Sequence, residues 1–148
     1  MKDAKKVVEF FRSQLQQVGS AKLLGMKVLL PNGSNADKVS TYISENYMQY
    51  DAHKRSDQEP IISIWHKQLL PCVTDKAISS EMLAEELIDL FRDQKQEYEY
   101  LKLLSIKAIF PKEANSDKIS KYIVEYYPEY KAHSKNQGEY PIVAIGYR

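Results

Sequence analysis

Cysteine is almost absent: Cys72 is the only one in 148 residues. A lone thiol cannot close an intrachain disulfide, and it fits a reducing compartment. The three histidines and one cysteine are scattered without the spacing of a zinc site, so no metal centre is read from them. Excess charge is lacking too, with 21 basic against 20 acidic side chains. That balance gives no long-range field for DNA, RNA or anionic lipid. Nucleic acid stays open as a partner only through a local patch. Long apolar runs are missing as well: no stretch approaches the roughly 18 residues of a membrane span. The opening Met1-Lys2-Asp3-Ala4-Lys5-Lys6 lacks the apolar core of a signal peptide. The expected setting is the cytoplasm, with no membrane partner. Glycine is scarce, at five. Asn32-Gly33 is a turn signal without the glycine and lysine pattern of a phosphate loop, and no cofactor is expected.

What is present is an ordinary globular balance, 43% hydrophobic and 28% charged, with eleven tyrosines among sixteen aromatic residues. The organising feature is an internal repeat. Lys22-Leu23-Leu24 recurs as Lys102-Leu103-Leu104, Asn35-x-Asp37-Lys38 as Asn115-x-Asp117-Lys118, and Tyr50-x-Ala52-His53 as Tyr130-x-Ala132-His133. From 22 to 53, 16 of 32 positions are identical at an offset of 80. Pro60-Ile61 matches Pro141-Ile142 at 81, so the second loop has gained one residue. The chain is read as a tandem duplication, with repeat 1 at 1–67, a linker at 68–78 containing Pro71 and Asp75, and repeat 2 at 79–148.

Each repeat reads as helix, strand, helix, strand. Val7, Phe11, Leu15 and Val18 share one helical face, which predicts a first helix from Lys2 to about Val18, stopped by Gly19-Ser20. Its counterpart runs from about Ser80 to Tyr98, capped by Ser79 or Ser80. Strands are expected at Leu23–Leu30 and Leu103–Phe110. Their even positions are wholly apolar, and the odd face is interrupted by Lys27 and Lys107. Asn35 and Asn115 are predicted N-caps of second helices carrying Tyr42, Tyr47 and Tyr50, and Tyr122, Tyr127 and Tyr130. Last strands follow at Ile61–Trp65 and Ile142–Tyr147, joined to the first by a parallel crossover if the two are neighbours. The expected fold class is α/β of the α+β type. It has about four strands, helices mainly on one face, and pseudo-two-fold symmetry.

Candidate functional residues follow from chemistry. His53 and His133, expected at the ends of the second helices, are the weak candidates for general acid–base work; the plainer role is a histidine favoured by the helix dipole. The tyrosine stripe is mostly core, but the adjacent Tyr126 and Tyr127 cannot both face inward, which marks Tyr50, Tyr126 and Tyr130 as a candidate contact surface. Lys27 and Lys107, with Trp65 and Tyr147, would decorate an open sheet face of the kind that holds single-stranded nucleic acid. Departures from symmetry, Gly25 to Ser105 and Trp65 to Gly146, suggest that one half has specialised. The leading expectation is a non-enzymatic binding or regulatory protein acting through contacts with another protein, a homo-oligomer remaining open. The alternatives are a nucleic-acid-binding sheet face and a small enzyme centred on a histidine.

Overall fold

The computed structural model describes residues 1–74, 77–135 and 140–148. Asp75 of the linker and most of the lengthened loop of the second half lie outside the described residues. Among the described residues the fold is mixed α+β, with four helices and eight strands in antiparallel pairings. Two compact units are present. Unit 1 comprises Met1–Gln14, Gly25–Leu69 and Lys95–Leu104; unit 2 comprises Leu15–Leu24, Leu70–Gln94 and Ser105–Arg148. Among the described residues no helix is long and apolar enough to cross a membrane.

In unit 1, α1 (Lys2–Ser13) and α2 (Ala36–Asn46) accompany residues 25–29 of β2 (Ala21–Leu29), β3 (Tyr50–Lys54) and β4 (Ile61–His66). The strand order is β3-β4-β2 and both pairings are antiparallel. The side chains of Met26, Val28, Ala52, Ile62 and Ile64 are buried, and α1 contributes Val7, Val8, Phe10 and Phe11. Asn35 caps α2 by accepting from the Lys38 amide, which satisfies one of the helix's free N–H groups. Unit 2 repeats this plan. It uses α3 (Ser80–Arg92), capped by Ser79, and α4 (Ser116–Tyr126), capped by Asn115. Its strands are residues 105–109 of β6 (Leu101–Ile109), β7 (Tyr130–Ser134) and β8 (Ile142–Tyr147), in the order β6-β8-β7.

Four expectations are corrected. First, α1 and α3 stop at Ser13 and Arg92, and Val18 and Tyr98 lie on short strands, β1 (Gln17–Val18) and β5 (Glu97–Tyr98). Gly19 and Glu99, with φ of 56° each, turn these strands into the hairpins β1-β2 and β5-β6. The helix stop has a physical cause in two buried glutamines. The Gln14 amide donates to the Lys95 carbonyl and accepts from the Lys95 N–H, both at 2.8 Å, as a strand would. Gln94 does the same for Leu15, at 2.7 Å each way. Second, Tyr50, Tyr130, His53 and His133 are not helical but sit on β3 and β7. Each helix ends near a tyrosine, with Tyr47 and Tyr127 as C-caps, and the chain reverses within three residues. Third, because β3 inserts a reversal, β2 and β4 pair antiparallel and there is no parallel crossover. Fourth, there are eight strands where about four were expected.

Two measurements test this account. Gln14→Ala strips the Lys95 backbone of both partners, and equilibrium unfolding is expected to show a loss of about 1–3 kcal/mol. The second concerns His66, whose ring packs against Phe11 (4.8 Å) and Tyr50 (5.6 Å). Burial holds this imidazole below its ordinary value of 6.5. The unfolded chain therefore binds its proton first, so stability falls as pH drops through 6.5 towards the lower folded-state value. Urea midpoints measured from about pH 7.5 down to about pH 5 should decline less steeply in His66→Tyr, the residue that Tyr147 places at the matching position.

Candidate functional site

Directly paired residues of an antiparallel sheet point to the same face. In unit 1 the face opposite the buried apolar layer therefore carries three cross-strand rows. Gly25 faces Trp65, which faces Asp51. Lys27 faces Ser63, which faces His53. Leu29 faces Ile61, which accepts a backbone hydrogen bond from Arg55 at 2.8 Å. The side chains on these rows touch one another. The His53 ring lies 5.2 Å from the Trp65 ring at 30°. The Arg55 guanidinium sits 5.7 Å over the Trp65 ring, and its Nε donates to the buried Ser63 Oγ at 2.8 Å. Arg55 is thus positioned by an indole and a hydroxyl. Among the described residues no carboxylate pairs with it. Asp51, the nearest acid by register, is turned around the sheet edge instead. Its Oδ1 accepts from Ser44 Oγ and from the Ala52 N–H, both at 2.9 Å, and the same Ala52 N–H also reaches Ser44 Oγ at 3.3 Å.

Gly25 makes this arrangement fit. A Cβ there would stand 2.6 Å from both the Ile64 carbonyl oxygen and the Trp65 Cβ. In unit 2 the matching pair is reversed, with Ser105 opposite Gly146. The other positions differ as well. Lys107 faces Ala144, which faces His133; Lys131 takes the place of Asp51, and Lys135 that of Arg55. Val124 takes the place of Ser44. Unit 2 therefore keeps cationic side chains and loses the indole, the hydroxyl and the guanidinium.

The residues singled out from sequence separate into two groups. Trp65, His53 and Lys27 come together on the unit 1 face, with Trp65 half-buried and the other two exposed. His133 is exposed and Lys107 half-exposed on the corresponding face of unit 2. Tyr50 and Tyr130 belong instead to the core, at 6% and 4% exposure. Each hydroxyl accepts from an arginine Nε, Arg12 at 3.2 Å and Arg92 at 3.0 Å. Tyr147 pairs with Tyr130 and packs on Phe91, so it lies on the helix side rather than on the face expected of it. Tyr127 donates to both oxygens of Glu85 at 2.7 Å, and this bond together with burial pushes the phenol up to about 12. Tyr122 also donates to Glu85 at 3.1 Å, leaving Tyr126, 61% exposed and tilted against the Tyr122 ring at 4.7 Å, as the accessible tyrosine of that helix.

Arg55 and Ser63 were missed from the sequence. The alternation His53-x-Arg55 across from Ser63-x-Trp65 is the signal that would have found them, once β3 is recognised as a strand. Neither histidine lies in the concave regions described. A hollow of about 360 Å³ is lined by residues including Leu83, Pro111 and Ala114, and one of about 310 Å³ by residues including Met1, Thr41 and Tyr42. Among the described residues no group of three or more histidine, cysteine or acidic side chains is placed to hold a metal ion. The chain matches no known protein family, no curated protein and no solved structure.

Gly25→Ala is expected to push Trp65 off the sheet. Its measured consequence is a shift in the emission of this sole tryptophan together with a stability loss of about 1–3 kcal/mol. Ser105→Ala, opposite a glycine, should change neither.

Proposed function

We propose that this chain is a non-enzymatic binding protein that meets another protein through the exposed sheet face of unit 1. The observation that carries this reading is the Trp65–Arg55–His53 cluster, a preassembled group on a sheet surface rather than in a cleft. Tryptophan and arginine are the residue types that dominate contact energy between proteins. Half-buried Leu29 and Ile61 extend the same face with apolar surface. Catalysis by a histidine has less support, because His53 and His133 are exposed on strands and among the described residues no nucleophile is bonded to either.

The reading includes a history. The halves 1–67 and 79–148, joined by 68–78, are taken as a duplicated unit with pseudo-two-fold symmetry. The repeated sequence and the recurrence of β1, β2, α2 and β3 as β5, β6, α4 and β7 at an offset of 80 support it. The Gly25–Trp65 pair would then be the specialisation of one copy. The cytoplasm is the proposed setting, and a homo-oligomer fits the same surface.

Affinity capture with the wild-type chain and with the double variant Arg55→Ala/Trp65→Ala tests the reading. A partner retained by the first and lost by the second, at unchanged thermal midpoint, is expected. Equal retention by both would remove the face from consideration.

A further inference from the structure

We infer that the unit 1 face takes an acidic, extended protein segment, with one of its carboxylates seated on the terminal nitrogens of Arg55; this rests on the binding-protein reading above. The guanidinium is fixed before any ligand arrives. Nε is committed to Ser63 Oγ at 2.8 Å and the guanidinium carbon lies 5.7 Å from the centre of the Trp65 ring. Its two terminal nitrogens carry no other bond among the described residues. A guanidinium held this way presents a planar fork that matches the two oxygens of a carboxylate, with little rotamer freedom left to lose on binding. His53 stands on the same face, beside the indole. The acid in register with Trp65, Asp51, keeps its charge but is bonded to Ser44 and the Ala52 N–H, and among the described residues it makes no ion pair with Arg55. Charge complementarity therefore selects an anionic ligand.

The same geometry separates an acidic protein segment from a nucleic acid strand. Binding of single strands relies on aromatic rings that stack successive bases along a basic track. Here one indole is already engaged by a tilted imidazole and a guanidinium. The neighbouring row offers Leu29 and Ile61, apolar side chains that suit the aliphatic residues of a peptide. An extended segment with an acidic and an aliphatic residue two positions apart would match the row spacing, since every second side chain points to one side.

Trp65 is the sole tryptophan, so its fluorescence reads the site directly. The full chain is titrated with three probes: a synthetic peptide repeating Glu-Ser-Leu-Ser, which sets glutamate and leucine in turn along one side of the strand, the same peptide with lysine for glutamate, and an oligothymidylate. The acidic peptide is expected to change the emission saturably and the lysine peptide to leave it unaltered. Arg55→Lys, the residue found at position 135, keeps the charge but loses the fork, and should weaken the acidic peptide by about tenfold or more. An undiminished affinity in Arg55→Lys overturns the carboxylate seat. Emission that responds to the oligothymidylate and not to the acidic peptide overturns the choice of a protein segment. Silence with all three overturns the inference as a whole. The capture experiment with Arg55→Ala/Trp65→Ala then judges the binding-protein reading separately, because a partner of other chemistry would still be retained by the wild type and lost by the variant.

Discussion

Backbone polar groups that leave a helix must find new partners, and in this chain two buried glutamine amides supply them. Gln14 and Gln94 each bond both the N–H and the C=O of one residue far away in sequence, Lys95 and Leu15. A side-chain amide offers one donor and one acceptor at the spacing of a peptide group, so it can stand in for a strand at a single position. That substitution lets α1 and α3 end at Ser13 and Arg92 and lets the chain enter a hairpin directly. The composition of the units follows. Residues Leu15–Leu24 belong with α3 and α4, and Lys95–Leu104 with α1 and α2. Neither unit is built from a continuous stretch, and each needs both halves of the sequence to be complete.

A second constraint acts at the candidate site. Where β2 meets β4, and where β6 meets β8, the facing pair has one glycine: Gly25 with Trp65, and Ser105 with Gly146. The close approach recorded at Gly25 shows why the pair cannot carry two large side chains. The indole and the glycine therefore have to be exchanged together. The cluster on unit 1, with its guanidinium stacked on Trp65 and bonded to Ser63, exists because this pair and its neighbours differ jointly from those of unit 2.

Much of the fold was legible from sequence where one kind of periodicity ran long enough. The Val7–Phe11 stripe, the Asn35 and Asn115 caps and the alternation through Met26 and Val28 all appear as expected. The failures came at changes of period. Val18 and Tyr98 continue a helical spacing by coincidence, and nothing local reveals that Gln14 and Gln94 satisfy distant backbone groups. Tyr47 and Tyr50 are three residues apart, as on one helix face, yet a C-cap lies at Tyr47 and a strand begins at Tyr50. Losing β3 hid the site in turn. His53 was seen but assigned to a helix end, and Arg55 had no visible neighbour until Ser63 and Trp65 were placed beside it.

The Ser44 hydroxyl and the Asp51 carboxylate, both bonded to the Ala52 N–H, sit at the margin of β3, where the Tyr50 N–H is likewise taken, by the Tyr47 carbonyl. The consequence is a sealed seam. An incoming chain meets no idle main-chain donor at these two positions and cannot extend the sheet there by generic pairing. Discrimination at this border must be made by side chains, so it is sensitive to the identity of a visitor rather than merely to its being extended.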